Sequence, residues 1–231
     1  RHGGDRDAVV RAVVDAGEWQ PPRPLLAVDG DSLAHRAYHG LPKTLSRAGG
    51  RPAGAMIGVT NFLLRLYGTE QPRAVVVGWD TLDAPTYRNE ALPAYQSGRV
   101  FDDALVEQLA LLPELVESLG FCAAKAAGFE ADDFMAACAT AEEKRGGACL
   151  VVTSDRDAFQ LASERTTILR PVKGVFELER VGPAEVEAQY GVSPAQVTDF
   201  IALKGDPSDK IPGAKGVGPK TAAAVLSEHG T

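Results

Sequence analysis

Three short apolar runs in this chain each stop at an aspartate. LLAVDGD (Leu25 to Asp31) stops at Asp29, RAVVVGWD (Arg73 to Asp80) at Asp80, and CLVVTSD (Cys149 to Asp155) at Asp155. Between them, IGVTNFLLRLY (57–67), DDALVEQLALLPELVESLG (102–120) and EADDFMAACATAEEK (130–144) carry apolar residues at helical spacing, which predicts crossover helices. Strand runs alternating with helices from Leu25 to about Arg170 predict a parallel α/β sheet. Open parallel sheets bind ligands beyond the carboxyl ends of their strands, so three strands would bring a carboxylate to one edge. TILRPVKGVFEL (167–178) reads as two short strands around a turn at Lys173 and Gly174, closing the sheet's edge.

After about Glu179 the pattern changes to short helices separated by loops: GPAEVEAQYG, SPAQVTDFIALKG, DPSDKIPGAKGVG and PKTAAAVLSEHG. Three segments follow: an N-terminal extension (1–23) of unassigned role, a sheet-bearing domain (24–178), and a small helical domain (179–231).

Composition excludes several classes. At 231 residues and 45% hydrophobic, the chain suits one sizeable core with a smaller appended part. Glu107, Gln108, Pro113, Glu114 and Glu117 interrupt the longest apolar stretch, which excludes a membrane span there. The first residues lack the pattern of a secretory leader, and the start at Arg1 rather than Met leads one to expect a fragment. Cys122, Cys138 and Cys149 are an odd set without CxxC spacing; they read as core residues of a reduced, cytoplasmic protein.

A net charge of −7 is unexpected for a partner of nucleic acid. The acidic residues, however, are concentrated. GFEADD places Glu130, Asp132 and Asp133 at a helix start, TSDRD adds Asp155 and Asp157, and GDPSD adds Asp206 and Asp209. Acids in a first helical turn can simply cap it, but that accounts for one motif and not the set. With Asp29 and Asp80 the set numbers nine, and setting it aside leaves 22 acidic against 24 basic side chains. Carboxylates about 4 Å apart repel by roughly 1 kcal/mol in water and about 4 at intermediate dielectric, so such a cluster needs cations. Oxygen donors without histidine or cysteine select Mg²⁺ or Mn²⁺, two of which can clamp a phosphodiester. His2, His35, His39 and His229 lack metal spacing, and His35 and His39 read as packing residues on one helix face.

GAKGVGPKTA (213–222) is an independent signal. Its glycines allow a tight turn, and PKTA starts a helix whose free N–H groups can bind a phosphate, with Lys215 and Lys220 on either side. TYRNEALPAYQSGR (86–99) interleaves Arg88 and Arg99 with Tyr87 and Tyr95, a pattern suited to meeting phosphates and stacking on bases.

Taken together, LLAVDGDSLAHRAYH, VVVGWD, YRNEALPAYQSGR, GFEADD, VVTSDRDAFQL, ALKGDPSDKIPGAKGVGPKTA and AVLSEHG resemble the flap endonuclease family, in particular the bacterial group containing the 5′ nuclease domain of DNA polymerase I and its stand-alone relatives. The resemblance spans roughly Leu25 to Gly230. It implies a PIN/FEN-like mostly parallel sheet flanked by helices, followed by a helix-three-turn-helix element that is incomplete at the C-terminal end. It implies that Asp29, Asp80, Glu130, Asp132 and Asp133 serve mainly a first Mg²⁺ or Mn²⁺ site, and Asp155, Asp157, Asp206 and Asp209 mainly a second. Lys215, Gly216, Gly218, Lys220 and Thr221 would grip DNA with help from K⁺, and 87–99 would form a helical gateway for the 5′ strand. Arg88, Gln96 and Arg99 would act there, with Gln96 standing where the family has a lysine that helps stabilise the scissile phosphate. The implied function is structure-specific cleavage of 5′ flaps and 5′ ends in replication and repair. The implied partners are flap and junction DNA and RNA primer–DNA hybrids, for a monomer associated with the nucleoid.

Three other readings compete. A haloacid-dehalogenase-like phosphatase would use Asp29 as nucleophile and Asp31 as acid, but leaves GFEADD, TSDRD and GVGPKTA without a role. A flap-binding protein weakened in cutting accommodates Gln96 and is opposed by the retained acids. A PIN-type ribonuclease would not need the glycine-rich hairpin.

Overall fold

The computed structural model describes residues 23–81, 84–97, 101–173 and 177–230. The segment 1–22, the gateway residue Arg99, the turn residue Gly174 and Thr231 lie outside the described residues.

Strand β1 (Leu25–Asp29) is buried at every position. The side chain of Asp29 accepts a hydrogen bond from the Ser32 N–H at 2.9 Å and so caps α1 (Gly30–Gly40). The small hairpin of β2 (Ser46–Arg47) and β3 (Arg51–Pro52) comes next, then α2 (Gly54–Glu70), β4 (Ala74–Gly78) and the short α3 (Tyr87–Ala91). After these come α4 (Asp103–Ser118), β5 (Cys122–Ala124), α5 (Ala131–Lys144), β6 (Cys149–Val152), β7 (Thr166–Lys173) and β8 (Glu177–Val181). Helices α6 (Pro183–Tyr190), α7 (Val197–Lys204) and α8 (Pro219–His229) complete the described chain.

The sheet runs β5-β4-β1-β6-β7-β8 and is parallel except for the β7–β8 pair, as the alternating pattern predicts. β1 lies between β4 and β6, with Leu25 level with both Ala74 and Cys149. The residues that follow these three strands therefore leave the sheet side by side.

Because side chains alternate along a strand, β1 feeds two cores. Leu26 and Val28 pack with Val75, Val77, Val152 and the α2 residues Phe62 and Leu63. Leu25 and Ala27 pack with Met135 of α5, and the same cluster continues through Phe159 and Val186 to Phe200, Ile201, Ala222 and Leu226. The C-terminal helices are thus fixed to the sheet by shared apolar packing.

Three expectations need correction. DPSDKIPGAKGVG forms no helix: Asp206 and Ile211 pair as an isolated bridge, Pro207 and Pro212 interrupt, and Gly205, Lys210, Gly213 and Gly216 all have positive φ. Cys122 is exposed on the edge strand, whereas Cys149 is buried. The strand β5 went unpredicted because CAA carries no β-branched residue. No described helix is long and apolar enough to cross a membrane.

Candidate metal and nucleic-acid site

Beyond the carboxyl ends of β4, β1 and β6 lies an open cavity of about 1620 Å³. Asp29, Asp80, Glu130, Asp132, Asp155, Asp157, Asp206 and Asp209 all line it. Asp133, the remaining acid of the set, does not.

Several of these acids are held by hydrogen bonds to their carboxylates. Asp29, at the end of β1, accepts from the Thr153 hydroxyl at 2.8 Å with its second oxygen. Asp80 accepts from the Ala131 N–H at 2.8 Å, which joins the end of β4 to the first turn of α5. Asp133 accepts from the Glu130 N–H at 2.9 Å, and both terminal nitrogens of Arg88 reach its carboxylate at 2.9 and 3.0 Å. Asp133 therefore caps α5 and anchors the gateway, while Asp132 faces the cavity. Glu130 is buried and accepts from Thr86 at 2.9 Å and Tyr95 at 3.1 Å. Asp155 accepts from the Asp157 N–H at 2.9 Å, and Asp206 from the Ser208 N–H at 2.8 Å.

The loop bearing Asp206 and Asp209 is pinched at its base. A Cβ on Gly213 would lie 2.5 Å from the Gly205 nitrogen, and one on Gly205 would lie 2.8 Å from the Ile211 carbonyl oxygen. Both glycines have positive φ, 67° and 79°, so side chains are excluded by space and by conformation alike.

Sequence reading missed Asp31. It is buried beside Asp29, lines the cavity, and accepts from the Asp80 N–H at 2.7 Å. The signal was the second acid of DGDS, which entered the sequence reading only as the acid of the phosphatase alternative. His35 and His39, expected to be packing residues, also line this cavity, with His35 against Phe101 at a ring separation of 5.1 Å. Tyr95, expected to stack on bases, is instead buried under its bond to Glu130, while Tyr87 is half exposed.

The electrostatics express crowding. Burial, reinforced by the charges of Asp80 and Asp155, pushes the Asp29 carboxyl up to about 7. Burial and Asp80 push Asp31 up to about 8. Burial and the charges of Asp29, Asp155 and Asp80 raise Asp132 well above the carboxylate range, and burial with Asp155 takes Asp157 to about 7. Burial works to raise Asp133 too, but Arg88 overcomes it and holds this carboxyl below its ordinary value.

Such a set fits hard divalent cations, which would relieve the repulsion that lifts these carboxyls. Ser154, which lines the cavity, has a buried hydroxyl without a hydrogen-bond partner. Among the described residues no three carboxylates, histidines or cysteines are arranged to hold an ion by themselves. Magnesium typically keeps several of its waters and takes few direct carboxylates, so a wider ring of acids suits it.

Pro219 and Lys220, at the start of α8, also line the cavity. The Val217 N–H donates to the Ala214 carbonyl at 3.0 Å, with Gly216 at φ 80°, the conformation a type II turn demands at its third position. Lys215, Lys220 and Thr221 are exposed along this turn and helix start, and Gly218 is the N-cap.

Residues 24–191 match the family model of the 5′-3′ exonuclease N-terminal resolvase-like domain, and residues 192–231 match that of the 5′-3′ exonuclease C-terminal SAM fold. DNA polymerase I of Mycobacterium bovis is 42% identical over 209 residues, covering 90% of this chain and 23% of that protein. The thermostable DNA polymerase I of Thermus thermophilus is 40% identical over 214 residues, covering 92% of this chain and 25% of that protein. The chain thus spans about a quarter of the length of these relatives. In fold it is similar to the bacteriophage T5 D15 protein co-crystallised with metal ions (TM-score 0.75, 21% identity, 90% of this chain and 76% of that one). It is also similar to flap endonuclease-1 from Methanococcus jannaschii (TM-score 0.61, 16% identity, 90% and 71%). With both halves of its described fold matched in order, the chain belongs to the 5′-3′ exonuclease family.

Proposed function

We propose that this chain is a structure-specific nuclease that hydrolyses phosphodiester bonds at 5′ flaps and 5′ ends of DNA, using Mg²⁺ or Mn²⁺. The observation that carries this reading is the convergence of carboxylates from three adjacent strand ends, a helix start and a pinched loop on one open cavity. Asp29, Asp80, Glu130 and Asp132, with Asp133 behind them, would serve mainly one ion, and Asp155, Asp157, Asp206 and Asp209 mainly a second. Bound there, the two ions would activate the attacking water and neutralise charge on the leaving oxygen. DNA polymerases I with this domain and T5 flap endonuclease bound to DNA and metal ions support DNA as the substrate class.

The chain's own residues do the positioning. The turn at Lys215–Gly216, the N-cap Gly218, and Lys220 and Thr221 would take duplex phosphates through backbone N–H groups and charge, with K⁺ as an additional ion. α3 and the segment after it would admit the 5′ strand, Arg88 being held ready by Asp133. In this reading residues 24–178 carry most of the chemistry, and 179–231 carry the grip on DNA together with Asp206 and Asp209 of the second ion site.

The test is incubation of the chain with a 5′-labelled flap duplex, with Mn²⁺ or with EDTA, alongside Asp155→Ala. Cutting at the flap base that needs the metal and is lost in Asp155→Ala is expected. Metal-independent cutting, or an Asp155→Ala protein as active as the parent, overturns the two-ion reading.

A further inference from the structure

Between the gateway and the acidic loop the structure holds a contact that no motif announces. The Gln96 side-chain amide donates to Asp209 Oδ1 at 3.2 Å and to the Tyr95 hydroxyl at 2.8 Å. One residue further along each segment, the Lys210 ammonium donates to the Ser97 hydroxyl at 2.9 Å. Two consecutive gateway residues are thus fastened to two consecutive loop residues.

Backbone conformation marks the same pair. Among the described residues only Gln71, Gln96 and Lys210 are non-glycine residues with positive φ, at 47°, 47° and 60°. Gln71 ends a helix, where that conformation is common. Gln96 and Lys210 end none and lie on the two sides of the contact, Gln96 bonded to Asp209 and Lys210 to Ser97. Non-glycine residues persist in this region when surrounding structure holds them there, and such residues cluster at functional sites.

Lys210 is also held in an unusual way for a lysine beside so many acids. Among the described residues its partner is a neutral hydroxyl and not a carboxylate, and it remains exposed. Its positive charge is therefore fixed in direction without being neutralised. A cation so presented, where the gateway meets the loop of Asp206 and Asp209, suits a phosphate of a strand lying against that junction.

Resting on the nuclease reading above, we infer that Gln96 and Lys210 form a clasp that positions the 5′ strand, Lys210 supplying the gateway's phosphate-binding cation and Gln96 holding the two segments in register.

The experiment is single-turnover cleavage of a 5′-flap duplex in Mn²⁺ by the parent, Lys210→Gly, Lys210→Arg and Gln96→Lys/Lys210→Gly, with melting temperatures for each. Glycine accepts φ 60° without strain, so Lys210→Gly is expected to melt no lower than the parent yet cut at least tenfold more slowly. Lys210→Arg is expected to stay within about threefold of the parent, and the Gln96→Lys double variant to regain most of the lost rate, because either restores a cation. Lys210→Gly cutting as fast as the parent, or Lys210→Arg as slow as Lys210→Gly, overturns the inference. A parent that does not cut overturns the nuclease reading instead. The clasp is then judged by flap-DNA affinity in EDTA, where Lys210→Gly binding as tightly as the parent overturns it.

Discussion

Arg88 holds Asp133 with both terminal guanidinium nitrogens, at 2.9 and 3.0 Å, across 45 residues of sequence. The pair joins the first turn of α3 to that of α5, with both side chains about one-fifth exposed. Charged hydrogen bonds of this kind are worth about 1.5–3 kcal/mol each way they are broken. Arg88→Met is therefore expected to lower the free energy of unfolding by about 1–3 kcal/mol in urea titrations. A loss under about 0.5 kcal/mol would show that the pair does not tie the gateway to the sheet.

The raised carboxyls give the metal-free protein a distinctive pH dependence. In the unfolded chain Asp29 and Asp31 ionise near 3.8, whereas folding moves them to about 7 and 8. The folded state thus keeps protons that the unfolded chain has released, so stability is fully present below about pH 4 and declines as the pH rises to about 8. Carboxyls held low by partners, such as Glu142 under Arg73, act in the opposite direction but only at lower pH. Melting temperature in EDTA is expected to fall from pH 5 to pH 8. Because protons compete with metal for these oxygens, the rise in melting temperature on adding Mn²⁺ is expected to be larger at pH 8 than at pH 5. A metal-induced shift independent of pH would separate the ions from Asp29 and Asp31.

Gly213→Ala places a methyl group 2.5 Å from the Gly205 nitrogen at φ 67°. The left-handed conformation alone costs about 1–2 kcal/mol, and the backbone approach adds to it. The variant is expected to unfold at clearly lower urea and to need more Mn²⁺ for half-maximal cutting, since Asp206 and Asp209 sit on the displaced loop. Unchanged values in both measurements would mean that the loop relaxes without moving its acids.

Lys215 and Lys220 flank the turn before α8 and are exposed. Each duplex phosphate neutralised contributes about 0.9 to the slope of log affinity against log salt. Lys215→Ala and Lys220→Ala are each expected to reduce that slope by about 0.9 for flap duplexes in EDTA. An unaltered slope in both would place the grip elsewhere.

Much of this arrangement was legible because strand burial and strand ends leave a strong mark. The runs ending at Asp29, Asp80 and Asp155 gave the three neighbouring strands, because parallel strands buried on both faces are apolar throughout and the first polar residue falls at the edge. GFEADD was legible as a helix start, but not as a division of labour in which Asp132 faces the cavity and Asp133 turns to Arg88. That division depends on a partner 45 residues away, which no local pattern encodes. Asp31 was obscured by its neighbour Asp29, and the fastening of Gln96 to Asp209 spans 113 residues. The stretch 206–218, grouped with the short helices in the sequence, is a loop because its prolines and glycines serve a close backbone approach, a tertiary demand.

β1 lies between β4 and β6, so the acids at the three strand ends are borne on the innermost part of the sheet. Amides in such strands exchange with solvent chiefly through global opening, whereas short α3 and the loop 205–213 lie outside the sheet and open at lower free energy. The spacing of Asp29, Asp80 and Asp155 therefore survives as long as the fold does, and heating short of the melting point loosens strand entry while leaving the ion-binding platform intact. Slow-exchanging deuterium should remain in Leu26–Val28 and Val75–Val77 after the amides of 87–97 and 205–213 have exchanged completely.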